Sequence, residues 1–169
     1  MNSFASVEII GSGLIGTSIG LALSQKGVKV AMRDLDTRAE SIAQDLVGSA
    51  HEGQPDLIIS AVPVSAFAGV VKGLIERNFN GVFIDVASIK SKPKVEVSEY
   101  PLLFERFIPS HPMAGREVGG AESARADLFE GRAWVIDSSA ASAGARVIAT
   151  ELITALGAHV VEMDSREHD

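Results

Sequence analysis

At 169 residues the chain is short enough to be one domain and long enough to bury a core of its own. Its 46% hydrophobic and 22% charged composition is that of an ordinary soluble globular protein, and a net charge of −7 leaves no basic footprint for a nucleic-acid backbone. Zero cysteines exclude disulfides, thiolate catalysis and any cysteine-ligated zinc. Glu8 interrupts the first apolar stretch, so no secretory leader is expected. The uncharged run Leu57–Val71 is too short for a bilayer and is broken by Pro63 and Gly69. The expectation is a cytoplasmic protein with neither a membrane nor a nucleic acid as partner.

In chain order, Ser6–Ile10 reads as a strand that runs straight into Gly11-Ser-Gly-Leu-Ile-Gly16. Ile15, Ile19, Ala22 and Leu23 then recur at helical spacing until Gly27. Val28–Met32 is a second strand, ending at Arg33-Asp34, and Thr37 with Glu40 three residues later predicts a capping box opening a helix through Leu46. Asp56–Val62 is a continuous apolar strand closed by Pro63, and 64–77 is helical in pattern. Gly81–Val86 is another buried strand, 92–99 a short helix, and Arg106–Ser110 a strand leading into His111-Pro112. A helix over about 120–129, the strand Ala133–Ile136, a helix capped by Ser142 and running to Leu156, and a last strand His159–Met163 complete the reading. Strands alternating with helices imply βαβ units and a parallel sheet, for which the aliphatic and alanine excess is suited.

The glycine run passes three context tests together: a strand precedes it, a helix follows it, and an acid ends the second strand. Gly11 permits the tight turn, Gly13 lets the backbone approach a diphosphate, and Gly16 lets helix and strand pack closely. The diphosphate would rest on the helix N-terminus at Leu14 and Ile15, where unpaired N–H groups and the helix dipole favour an anion. Gly20, one turn on, serves helix–sheet packing. Asp34 follows Gly11 by 23 residues, close to the roughly 20 expected of the acid that binds the adenosine ribose hydroxyls. Its carboxylate would repel a 2′-phosphate, which points to NAD, with NADP the lesser expectation. Arg33 leaves three alternatives open: a 2′-phosphate grip, a stack on adenine, or a solvated charge. Ala61, Val62 and Pro63 end the third strand at the same carboxyl edge, where ligands bind in such sheets. The fold class expected is α/β, a doubly wound, mostly parallel Rossmann sheet with helices on both faces.

Two further strand ends deliver polar residues to that edge, Asp85-Val-Ala-Ser-Ile-Lys90 and Ser110-His-Pro-Met-Ala-Gly-Arg-Glu117. GSGLIGTSIG, SAVP, DVASIKSK, SHPMAGRE, ADLFEGRAWVI and the final SREHD, in that order, resemble the prephenate/arogenate dehydrogenase family along essentially the whole chain. The resemblance implies oxidation of the ring C4 hydroxyl of prephenate or arogenate, with hydride transfer to the nicotinamide and loss of the ring carboxylate. It also implies that His111 accepts the hydroxyl proton, a role suited to a neutral imidazole, and that Ser88 orients hydroxyl and histidine. Lys90 is either an attractor for substrate carboxylate or cofactor phosphate, or a surface lysine. Arg116 stands where many members carry a small hydroxyl residue, and is either a substrate-carboxylate contact or a solvated loop residue; Glu117 could modulate access of a dianionic substrate. Arg125 and Arg132 read as surface charges. His51, His159 and His168 have no partners at ligand spacing, so no metal is expected.

Members of the family continue past this point into an all-helical domain that dimerises and completes the site. The expectation is therefore a cofactor domain over 1–163, with 164–169 beginning the connection to that absent domain, nearly inactive alone and homodimeric at full length. Two other readings stay open: an NADP-dependent arogenate dehydrogenase, and a stand-alone dinucleotide-binding module.

Overall fold

The computed structural model describes residues 3–48 and 50–169. Seven strands form one sheet: β1 (Ser6–Ile10), β2 (Lys29–Arg33), β3 (Leu57–Ser60), β4 (Val82–Asp85), β5 (Phe107–Pro112), β6 (Ala133–Ile136) and β7 (His159–Glu162). Their order is β2-β1-β3-β4-β5-β6-β7. All pairings are parallel except β5 with β6, where Ser110, His111 and Pro112 face Ile136, Val135 and Trp134. Among the described residues seven α-helices accompany them: α1 (Leu14–Gln25), α2 (Thr37–Val47), α3 (Phe67–Glu76), α4 (Ser91–Ser98), α5 (Pro101–Phe104), α6 (Ala143–Ala155) and, after the last strand, α7 (Ser165–His168). Among the described residues no helix is long and apolar enough to cross a membrane.

Alternate residues of the central strands feed two separate cores, which is why these strands read as unbroken apolar runs. Leu57, Ile59, Val82 and Ile84 join Ile19 and Leu23 of α1, Ala43 of α2 and Leu152 of α6 on one face. Ile58, Phe83 and Phe107 meet Phe67, Val71 and Leu74 of α3 on the other, with the rings of Phe67, Phe83 and Phe107 between 5.0 and 6.0 Å apart. The chain runs from β1 out to β2 and then crosses back to β3 on the other side of β1, so the topological switch lies between β1 and β3, where a doubly wound sheet opens a crevice at its carboxyl edge.

Three local expectations need correction. Asp36, not Thr37, caps α2, accepting from the Arg38 and Ala39 amides at 3.0 and 3.2 Å, while Glu40 accepts from the Asp34 amide at 2.8 Å instead of closing a capping box. The expected helix over 120–129 is only a 3₁₀ turn, Ala121–Ser123, followed by turns. Gly120 enters it at a φ of 90°, and the Arg125 amide is satisfied by Ser18 Oγ at 3.0 Å in place of a helical carbonyl. The fifth strand runs on through His111 and Pro112, because its last residues find a partner in antiparallel β6.

Candidate cofactor groove and proton-acceptor site

Gly11 leaves β1 at a φ of 111°, and a Cβ there would lie 2.3 Å from the Ala61 carbonyl oxygen, so the turn demands glycine on two counts. A Cβ on Gly16 would lie 2.0 Å from the Gly11 carbonyl oxygen, which packs the first turn of α1 against the loop. Gly13 differs: nothing lies within 4 Å of its Cβ position, leaving its backbone open to an approaching group. It is also the N-cap of α1, without any side-chain cap, so the helix N–H groups at Leu14 and Ile15 face that opening uncapped. Beside it the buried Ser12 Oγ has no hydrogen-bond partner among the described residues. An open backbone, uncapped helix donors and an orphaned hydroxyl fit a dinucleotide diphosphate. Gly20 packs where expected, its Cβ position 2.9 Å from Val47 and 3.1 Å from Met32.

A groove of about 990 Å³ runs along this edge, lined among others by Gly11, Gly13, Arg33, Asp34, Ala61, Val62, Pro63 and Ser88. Leu14, Ile15 and Gly16, in the first turn of α1, are not among its lining residues, and Leu14 and Gly16 are buried. Asp34 accepts from the Ser12 amide at 2.7 Å and the Asp36 amide at 2.9 Å, tying the glycine loop to the end of β2.

Arg77 and Glu40 also line the groove, and nothing in the local sequence marks them for it. Glu8 is only 4% exposed in mid-strand, pairs with Arg77 at 2.8 Å and has Arg33 at 4.0 Å. An acid inside the apolar run Ser-Val-Glu-Ile-Ile was the available signal, since a carboxylate enters a core only when paired.

Asp85 and Lys90, at the end of β4 and the start of α4, form a fully buried ion pair at 2.6 Å. Lys90 is therefore no surface lysine, and its ammonium is spent on Asp85 rather than offered to a ligand. Burial pushes the Asp85 carboxyl up to about 6 despite the ammonium, and burial pushes Lys90 down. Asp85 also accepts from the Ala87 amide at 3.0 Å, and its carbonyl accepts from Ser110 Oγ at 2.7 Å, so the pair pins both the Ser88 loop and the strand carrying His111.

His111 is half-buried at the end of β5, on the same sheet edge as Ser88. Burial, with His168 and Lys90 nearby, holds its imidazole below the ordinary value, favouring the neutral form. Its Nδ1 lies 3.0 Å from Nε2 of His168, which has no partner at ligand spacing along the sequence. Local spacing could not reveal a contact made across 57 residues. Arg116 is exposed, donates to the Ser123 carbonyl at 2.6 Å and lines no part of the groove.

Residues 19–162 match the family model of the prephenate dehydrogenase nucleotide-binding domain. A probable prephenate dehydrogenase of Streptomyces niveus is 36% identical over 95% of this chain and 46% of its own length. A prephenate dehydrogenase of Lactococcus lactis subsp. cremoris is 31% identical over 96% of this chain and 48% of its own. The chain thus spans about half the length of the curated relatives it matches. The crystal structure of A. aeolicus prephenate dehydrogenase in complex with hydroxyphenyl propionate and NAD+ superposes with a TM-score of 0.84 at 23% identity, covering 98% of this chain and 62% of that one. With the glycine loop, the groove and the histidine strand on one edge of a doubly wound sheet, the chain belongs to the family of prephenate dehydrogenase nucleotide-binding domains.

Proposed function

We propose that this chain is the cofactor half of a cytoplasmic, NAD-dependent prephenate dehydrogenase. Residues 1–163 form the cofactor domain, and 164–169 lead toward a helical, dimerising partner domain. The observation that carries the reading is a single groove from Asp34 to Ser88 with His111 one strand further along the same edge. Bound NAD would supply the hydride acceptor. Ser88, exposed at the groove end, would hold the C4 hydroxyl of prephenate, and neutral His111 would take its proton as the ring loses its carboxylate and becomes aromatic. The buried Asp85–Lys90 pair positions both residues, while Arg116, on an exposed loop, would have to leave the Ser123 carbonyl to meet a substrate carboxylate. In a protein of the relatives' full length, NAD and prephenate should yield NADH and carbon dioxide together; turnover of arogenate alone, or with NADP alone, would overturn the substrate and cofactor assignment.

The sugar end argues for NAD over NADP. The Asp34 carboxylate faces the groove, and Arg33 is drawn toward Glu8 and bonded to the Met32 carbonyl at 3.3 Å instead of standing free for a 2′-phosphate. NAD should bind at least tenfold tighter than NADP, about 1.4 kcal/mol, and Asp34→Ser should erase most of that gap. Calorimetry giving equal or reversed affinities in the unsubstituted chain would transfer the role to Arg33.

The glycines separate folding from binding. Gly13→Ala should melt like the parent, since its Cβ meets nothing, yet lose about tenfold or more in NAD affinity because the methyl occupies the diphosphate approach. Gly16→Ala should instead lose about 1–3 kcal/mol of stability from its clash with backbone. Thermal melts with NAD titrations of both variants check the contrast; a Gly13→Ala chain binding NAD at full strength would contradict the diphosphate placement.

A further inference from the structure

The last residues of the chain are held firmly against the sheet edge. Asp164 caps α7 through the Arg166 amide at 2.9 Å. Ser165 is buried, with its amide and hydroxyl both on Asp137 Oδ2 at 2.9 and 2.5 Å. Lys94 of α4 reaches the same Asp137 oxygen at 2.6 Å. Burial raises the Asp137 carboxyl, but the hydrogen bonds from Lys94, Ser139 and Ser165 more than offset it and hold the group well below the usual carboxylate range. This anchor sets His168 edge-on to His111, with ring centres 5.1 Å apart and planes at 79°.

We infer that Asp169, His168 and His111 form a hydrogen-bonded relay that fixes His111 with Nδ1 protonated and Nε2 free to accept a proton. His168 Nδ1 lies 2.9 Å from Asp169 Oδ1, and His168 Nε2 lies 3.0 Å from His111 Nδ1. An ionised carboxylate only accepts, so the proton of the first bond sits on His168 Nδ1. A neutral His168 then presents a lone pair at Nε2, and the second bond needs its proton on His111 Nδ1. The remaining nitrogen, His111 Nε2, carries the lone pair. Asp169 is itself set in place by the Lys90 and Ser91 amides, each 2.8 Å from its carboxylate, so the relay is joined to the segment that follows Ser88. His168 and Asp169 are positioning residues: they select which nitrogen of His111 is basic, as an orienting carboxylate does for a catalytic imidazole.

The relay's catalytic meaning rests on the proposed dehydrogenase reading, but the tautomers do not, so the decisive readout is spectroscopic. Nitrogen-15 spectra of the ring-labelled chain at roughly pH 8, above the ordinary imidazole value, should show both His111 and His168 protonated at Nδ1. That is the less common form of a free neutral imidazole. His111→Asn and His168→Leu supply the assignments. In His168→Leu, His111 should move to mainly Nε2–H; in His168→Gln, whose amide can donate to Asp169 and accept from His111, it should stay Nδ1–H. A His111 protonated at Nε2 in the unsubstituted chain overturns the relay, as does an unchanged tautomer in folded His168→Leu. If the leucine variant does not fold, the unsubstituted and glutamine spectra still decide. At full length, kcat of His168→Leu should fall about tenfold or more with NAD affinity retained. The expected tautomers without turnover of prephenate would leave the relay standing and sink the proposed reaction; turnover with His111 protonated at Nε2 would do the reverse.

Discussion

His111→Asn lowers kcat by about 10²–10⁴ in a full-length protein turning over prephenate, while NAD affinity and melting temperature hardly change. The asparagine amide can still donate toward His168 from near the Nδ1 position, so the loop geometry is kept. What is lost is a base able to accept the hydroxyl proton. Ser88→Ala should cost less, since an orienting hydroxyl takes no net proton. The pH profile follows from the same imidazole. Burial, followed by His168 and Lys90, lowers its value, so the neutral, proton-accepting form persists to more acid pH than in a free histidine. The acid limb of kcat/KM should therefore fall below pH 6.5, rate being lost as pH drops through the depressed value. A histidine that merely fixed the loop before Pro112 would instead lower stability and cofactor binding together with activity. Unchanged turnover in well-folded His111→Asn would end the proton-acceptor assignment.

Lys90→Met should cost about 3–5 kcal/mol of folding stability, the penalty for leaving one member of a buried ion pair alone. Both members are essentially inaccessible, so solvent screening gives little relief. For a chain of this length the midpoint should fall on the order of 10 °C. The pH dependence has a definite sign. Asp85 already titrates near 6 in the folded chain, above its unfolded 3.8, so its protonation contributes stability that is full below about 4 and is lost as pH rises through 6. Without the ammonium its value climbs further, so the deficit of Lys90→Met should shrink on acidification. Pairing the change with Asp85→Asn should restore part of the loss at neutral pH. A surface lysine would give almost no effect, and melts of the unsubstituted chain and the two variants across pH separate the cases.

Much of this architecture is legible in the chain because its signals are local. Continuous apolar runs such as Leu57–Ile59 and Phe83–Ile84 announce strands buried on both faces, and a glycine loop between strand and helix with Asp34 beyond announces the groove. What escaped depends on contacts between distant segments. Asp36 wins the α2 cap because Asp34 draws Glu40 away, and the segment around Arg125 gives up a helix because Ser18 supplies its acceptor. Lys90 has the charge of a surface residue until Asp85 is folded beneath it. His168 became a candidate only when the anchor at Asp137 brought α7 to the end of β5. Arg116, chosen for its charge, instead bonds within its own loop, at the Ser123 carbonyl.

The claim that this sheet edge is a dinucleotide site is tested most directly by titrating the 169-residue chain with NAD while following its backbone amides. The account predicts one saturable site whose shifts gather on Ser12, Gly13, Asp34, Ala61, Val62 and Ser88, with Ser12 among the largest because its amide is already held by the Asp34 carboxylate that the ribose would engage. Shifts confined to the α6 and β7 end of the sheet, or no saturable binding at all, would contradict it.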